Sequence, residues 1–179
     1  MQQRDILELR IEVIDPAFKH LYPSSISPPQ ISAGELVEHP DLRVLFSAWA
    51  ALQESNELPS NPVKIIRSVK HLLKYVHLSD VVDNGADFRF RLLGDSVFPG
   101  LEKKQKGRLT SEHLDPGIAF RYGTLMQETV ARRRPIRGVA ERITKDENYN
   151  FVVESLWLPF GNNACVSQIL SMARFTSVL

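Results

Sequence analysis

Cysteine is nearly absent: Cys165 is the single thiol in 179 residues. That excludes an intrachain disulfide and any thiolate metal cluster within the chain. Long hydrophobic runs are missing too. The apolar stretches fall well short of the roughly 20 residues needed to span a bilayer. The charged start, Met1 to Arg10, is not followed by the apolar core of a secretory signal. Neither sign of charge dominates, since 22 Lys and Arg stand against 21 Asp and Glu. Such a balance argues against holding nucleic acid or an anionic membrane by bulk charge. These absences fit a cytoplasmic address.

The familiar marks of catalysis are also missing. Gly-x-Ser-x-Gly does not occur, so Ser24, Ser25 and Ser96 have no nucleophile-elbow setting. Gly94, Gly100 and Gly107 are spaced too widely for a phosphate-cradling loop, and no Walker pattern occurs. Asp80 and Glu154 fall on different predicted strands and form no obvious acid–base pair. The five histidines contain no His-x-x-x-His pair. His20 and His39 lie in or beside the N-terminal segment, His71 and His77 straddle a helix–strand junction, and His113 falls in an irregular stretch. They read as ordinary surface or core histidines, so no metal site is expected. Lys103-Lys104 with Lys106 and Arg108, and the run Arg132 to Arg137, are basic but lack a reading element or stacking aromatics. They read as solvated ends or a partner-docking patch rather than a nucleic-acid surface.

The chain does have enough apolar residues, 43%, to build a real core. Leu7, Leu9, Ile11 and Val13 alternate with charge, as in a half-buried strand, although a helix fits as well. Tyr22 to Pro29 is rich in proline and serine and reads as extended linker. Residues 1–38 are therefore expected to form an arm, and residues 39–179 the domain. Pro40 suits the first turn of a helix that presents Leu42, Leu45, Phe46, Trp49 and Leu52 on one face. Asn61-Pro62 restarts a helical pattern through Ile65, Ile66, Val69, Leu72 and Leu73. The period then changes. Residues 76–82 and 87–93 alternate about Asp83-Asn84-Gly85, a hairpin turn tolerant of positive φ. Phe88, Phe90 and Leu92 should share its buried side. Residues 117–133 read as a helix burying Tyr122, Leu125, Met126 and Val130, stopped by Pro135. Three strands close the chain: 136–143, 149–158 and 164–175, the last holding Cys165 as a small apolar filler. Two hairpins flanking a helical crossover build an α+β domain, one antiparallel sheet with helices on one face.

Several residues go beyond this layout. In order they are Trp49; Leu58-Pro59 and Pro62; Asp80-Val81; Phe88, Arg91, Leu92 and Gly94; Gly107-Arg108; and Glu154 with Leu158-Pro159. The order resembles a PAS-like family of alphaproteobacterial standalone proteins (the PAS_5 group), over roughly residues 40–175. The chain departs from that family around Leu58-Pro59, which lacks its usual glycine and basic neighbours, and at Gly94-Asp95, where Gly-Thr is commoner. Both positions border a possible pocket, so ligand type does not carry over and the cofactor stays open.

The resemblance implies a PAS-like five-stranded antiparallel sheet with its crossover on one face, preceded by N-terminal helices. It implies a non-enzymatic cytoplasmic sensor or adaptor that binds a small molecule or regulatory protein partner. With no output segment after the sheet, signalling would pass through partner contacts or homodimer packing. Phe90, Leu92, Tyr122, Met126 and Trp157 would line the pocket, with Glu154 orienting a ligand. The same residues also fit a plain core, and Glu154 a fold-supporting ion pair. Phe46 and Trp49 would form the dimer interface, or pack on their own sheet. A haem ligand at His113, as in some PAS sensors, is a further reading of that residue, and cysteine-based flavin photochemistry has no crossover cysteine to use. A small α+β enzyme with an unrecognised pocket and a structural adaptor with a filled core are the alternatives.

Overall fold

A computed structural model describes residues 30–53, 57–96, 105–113, 116–143 and 150–178. The readings for residues 5–14, the Tyr22–Pro29 linker, His20 and Lys103-Lys104 lie outside these residues. Six strands form one antiparallel sheet: β1 (Gln30–Ala33), β2 (Val76–Val82), β3 (Asp87–Leu93), β4 (Ile136–Ile143), β5 (Asn150–Gly161) and β6 (Val166–Val178). Their spatial order is β1-β4-β5-β6-β2-β3. The β2–β3 hairpin and the β4–β5–β6 meander thus join where β6 lies beside β2.

The sequence led to five strands, and the sixth is β1. It comes from the stretch assigned to the arm and pairs with β4 from Gln30↔Val139 to Ala33↔Ile136. Gly34 continues the contact, its N–H donating to Pro135 O at 3.1 Å. Four residues next to Pro28-Pro29 are too few to display a period of two. Pairing here satisfies N–H and C=O groups along the margin of β4 that would otherwise stay open.

Helix α1 (Pro40–Ala50) starts as its sequence suggests, with Pro40 in the first turn and His39 Nδ1 accepting from Asp41 N–H at 3.1 Å. Helix α2 (Val63–Ser68) begins after Asn61, whose Oδ1 accepts from Val63 N–H at 2.9 Å. The helical pattern read onward to Leu73 breaks at Val69 (φ −108°, ψ 37°) and tightens into a 3₁₀ turn over Lys70–Tyr75. That turn feeds β2. A short helix α3 (Thr110–His113) and the long crossover helix α4 (Pro116–Arg132) connect β3 to β4.

The two faces of the sheet follow from its register. Trp157 lies opposite Ile136 and Ser171, and Ser155 opposite Gly138 and Ala173. The intervening Glu154, Leu156, Leu158 and Phe160 point the other way. Every residue from Val153 to Phe160 is nevertheless buried, so both faces are covered. On one side α4 sets Tyr122 against Trp157, with ring centroids 5.2 Å apart. It comes so close that a Cβ on Gly138 would lie 2.8 Å from both a Leu125 methyl and Ser155 Oγ. On the other side α1 buries Leu42, Leu45 and Trp49. Helices on one face only is therefore corrected. The crossover occupies one face, and α1 the opposite one.

A bulge makes a second correction. Leu78 pairs with Leu92, but Ser79 pairs with Phe90, which leaves Arg91 as the extra residue. The irregularity puts Leu93, opposite His77, on the side of Phe90, and moves half-buried Leu92 to the α1 side with Leu78. Unbroken alternation from Phe88 could not show this.

Candidate functional site

The chemistry of the interior lies between α4 and the sheet. Strand β2 contributes His77 and Ser79, which lie opposite Ser171 and Ile169 of β6. Their exposures are 1% and 0%, and Ser171 is also at 0%. Rings surround His77: Trp157 at 5.3 Å, Tyr122 at 5.4 Å and Phe90 at 6.4 Å between centroids. Met126 is fully buried in the same hydrophobic core. Burial in this apolar box pushes the His77 pKa down to about 3, so the imidazole is neutral at pH 7. Nε2 is hydrogen-bonded to Ser171 Oγ. Nδ1 and the hydroxyl of Ser79 have no hydrogen-bond partner among the described residues. Buried polar atoms left this way are uncommon and call for an explanation. Nearby, Trp157 Nε1–H donates to Ser155 Oγ at 2.9 Å, and that hydroxyl donates to Gly138 O at 3.2 Å.

Four of the six residues named as ligand contacts, Phe90, Tyr122, Met126 and Trp157, meet on this side. Leu92 and Glu154 do not, because the register turns them to the α1 face. Glu154 is a clamp for the start of α1. It accepts from the backbone N–H groups of Glu38 and His39, each at 2.7 Å, and from Arg137 Nε at 2.6 Å. Burial pushes its pKa up. The Glu38 amide, the Arg137 guanidinium and the His39 amide outweigh that and hold the carboxylate below its ordinary range. Arg137 also reaches Glu38 Oε1 at 3.2 Å. Glu154 thus serves the fold.

Asp87 has a similar job on the crossover. It accepts from Phe88 N–H, Thr110 Oγ1, and both Ser111 Oγ and N–H, tying α3 to β3. Burial alone would raise its pKa, but the hydroxyls of Ser111 and Thr110 and the two amides lower it. Trp49 faces inward at 3% exposure, and its Nε1–H donates to Pro159 O at 2.9 Å. It is therefore closed to a second copy in this form. Half-buried Phe46 stacks on it at 6.4 Å. Cys165 is exposed in the turn before β6 rather than filling a strand interior. His71 is exposed, and among the described residues no three His, Cys, Asp or Glu side chains converge as metal ligands do.

The Leu58-Pro59 step borders an open groove of about 560 Å³ between the α1–α2 connection and the β5–β6 turn. Its polar lining includes Glu57, Lys64, Asn162 and Asn163. Asn163 Nδ2 already donates to Glu57 at 2.7 Å, and Arg133 Nη2 to Asn162 O at 2.7 Å. The interior offers buried, unpartnered polar atoms, and the groove only solvated ones.

No protein-family model, curated protein or solved structure matches the chain. The family resemblance therefore rests on the residues quoted for it. No described helix is long and apolar enough to cross a membrane.

The residues missed from sequence are His77, Ser79 and Ser171. Alternation put His77 and Ser79 on one face of β2, which is the available signal. Nothing in a single strand says that both faces will be covered, so His77 read only as an ordinary surface or core histidine.

Proposed function

We propose that the chain is a PAS-like, non-enzymatic sensory domain whose interior receives a small molecule and whose outer helices pass the change to a partner. The reading is supported by one observation above all. The side of the sheet under the crossover helix combines aromatic walls with buried polar atoms that lack partners, His77 Nδ1 and Ser79 Oγ. A core that served packing alone would do better with apolar side chains there. Ligand sites are typically apolar, with a few polar groups fixing orientation. The β2–β3 hairpin, helical crossover and β4–β5–β6 meander support this reading, while β1 adds a sixth strand to it.

Occupation of the interior would bear on β5 and β6, whose opposite side carries α1. A shift arises only if the ligand prefers one packing over another. A partner, a second copy included, would meet the outward side of α1, where Val44 is 46% exposed. Native mass spectrometry of protein from its own host tests the reading. We expect a bound small molecule lost on denaturation. A bare mass, together with a light-scattering profile that stays monomeric at all concentrations, would overturn it.

A further inference from the structure

We propose that His77 and Ser79 form the polar end of an interior site for a small uncharged molecule bearing a hydrogen-bond acceptor, seated between His77 Nδ1 and Ser79 Oγ. The proposal rests on the ligand-sensing reading and adds the class of ligand.

The first step is the tautomer. Ser171 Oγ bonds His77 Nε2 and is fully buried. If Nε2 carried the proton, both the Ser171 hydroxyl hydrogen and the Nδ1 lone pair would lack partners. If Ser171 donates to Nε2, only one group, Nδ1–H, is left over. The second arrangement leaves fewer buried groups unmet and is the favoured one. His77 therefore presents a donor, and the site needs an acceptor.

The second step is geometry. His77 and Ser79 are two apart on β2 and share a face, as their partners Ser171 and Ile169 show. Strand geometry puts their Cα atoms roughly 7 Å apart. Both unpartnered side chains therefore lie on the α4 side of the sheet, and a ligand oxygen with two lone pairs has one for each donor.

The third step is what surrounds that oxygen. Among the described residues, the rings against His77 are Phe90, Tyr122 and Trp157, its hydrogen-bond partner is Ser171 and its neighbour across the β2–β3 pair is Leu93, none of them charged. An anion or cation would lose its hydration with no counter-charge in return. A lone water is the other neutral occupant, and displacement by acetophenone separates the two. A neutral molecule with an apolar or aromatic body uses the ring walls and needs only the one acceptor.

The test is side-chain ¹⁵N NMR of histidine-labelled wild-type protein with three probes of similar shape: acetophenone, benzoate and ethylbenzene. We expect the Nδ1–H tautomer at His77. Acetophenone should shift the His77 Nδ1 signal, and the two others should leave it in place. Ser79→Ala should weaken acetophenone binding about tenfold, the usual scale of one hydrogen bond. The three-probe comparison needs only the wild-type chain, so a variant that fails to fold does not blunt it. An Nε2–H tautomer, no response to acetophenone, or an equal response to benzoate or ethylbenzene would overturn the proposal. So would a long-lived water held at Nδ1 that acetophenone does not displace. A charged molecule found by native mass spectrometry would leave the sensory reading standing and remove this one.

Discussion

Acidification between pH 7 and pH 5 should weaken the fold through His77. Its folded pKa is about 3, against an ordinary value of 6.5, and burial is the cause. The unfolded chain therefore takes up a proton at His77 well before the folded one does. Stability is highest above pH 6.5, falls as pH drops below it, and levels off only near pH 3. Each pH unit inside that window is worth about 1.4 kcal/mol. Going from pH 7 to pH 5 should thus cost about 2 kcal/mol from this one imidazole. Asp87 and Glu154 do not blur the window. Their lowered pKa values give stability that is lost only as pH falls past their ordinary 3.8 and 4.5. The assay is urea unfolding followed by the fluorescence of the two tryptophans, both buried. With a slope near 2 kcal/mol per molar, the midpoint should drop by about 1 M between pH 7 and pH 5. A His77→Phe, Ser171→Ala double variant removes the titrating ring together with the hydroxyl that would lose its partner. Its absolute stability is beside the point; its midpoint should change much less over the same range. Equal slopes for the two proteins would refute the reasoning.

Other outcomes follow from the contacts around the sheet. Glu154→Ala should cost about 3 kcal/mol by leaving two amides unmet and leaving Arg137 with only Glu38 as its acid partner among the described residues, and hydrogen exchange should speed up first at Glu38 and His39; Glu154→Gln should cost less. Gly138→Ala should destabilise by about 1–3 kcal/mol through overlap with Leu125 and Ser155, seen as a lower urea midpoint with an unchanged slope. Trp49→Phe should lose about 1 kcal/mol with the hydrogen bond to Pro159. Light scattering of that variant should match the parent, since the ring faces inward.

Much of the fold was legible where a pattern had room to repeat. The hairpin strands read as 76–82 and 87–93 are Val76–Val82 and Asp87–Leu93, and the strand read as 136–143 is Ile136–Ile143. Asn84 and Gly85 adopt the positive φ that their turn suggested, 57° and 98°. The crossover helix differs from its reading by one residue at each end. Legibility ended where the cause is tertiary. β1 is defined by a partner more than 100 positions away. The bulge at Arg91 is set by β2, not by the alternation within β3. The site was half legible. Phe90, Tyr122, Met126 and Trp157 announce themselves by size and spacing, whereas His77 and Ser171 matter only because strands 94 residues apart bring them together. Glu154 was read from the family pattern with two roles open, and its short contacts to the start of α1 select the supporting one.

The strand at Gln30–Ala33 has a practical consequence for anyone handling this protein. It screens one margin of the sheet, so trimming the chain back to Pro40 in search of a minimal fragment would uncover the backbone of Ile136 to Val139. Such a fragment would be prone to stick to itself, and clumping in the tube could then be mistaken for natural assembly.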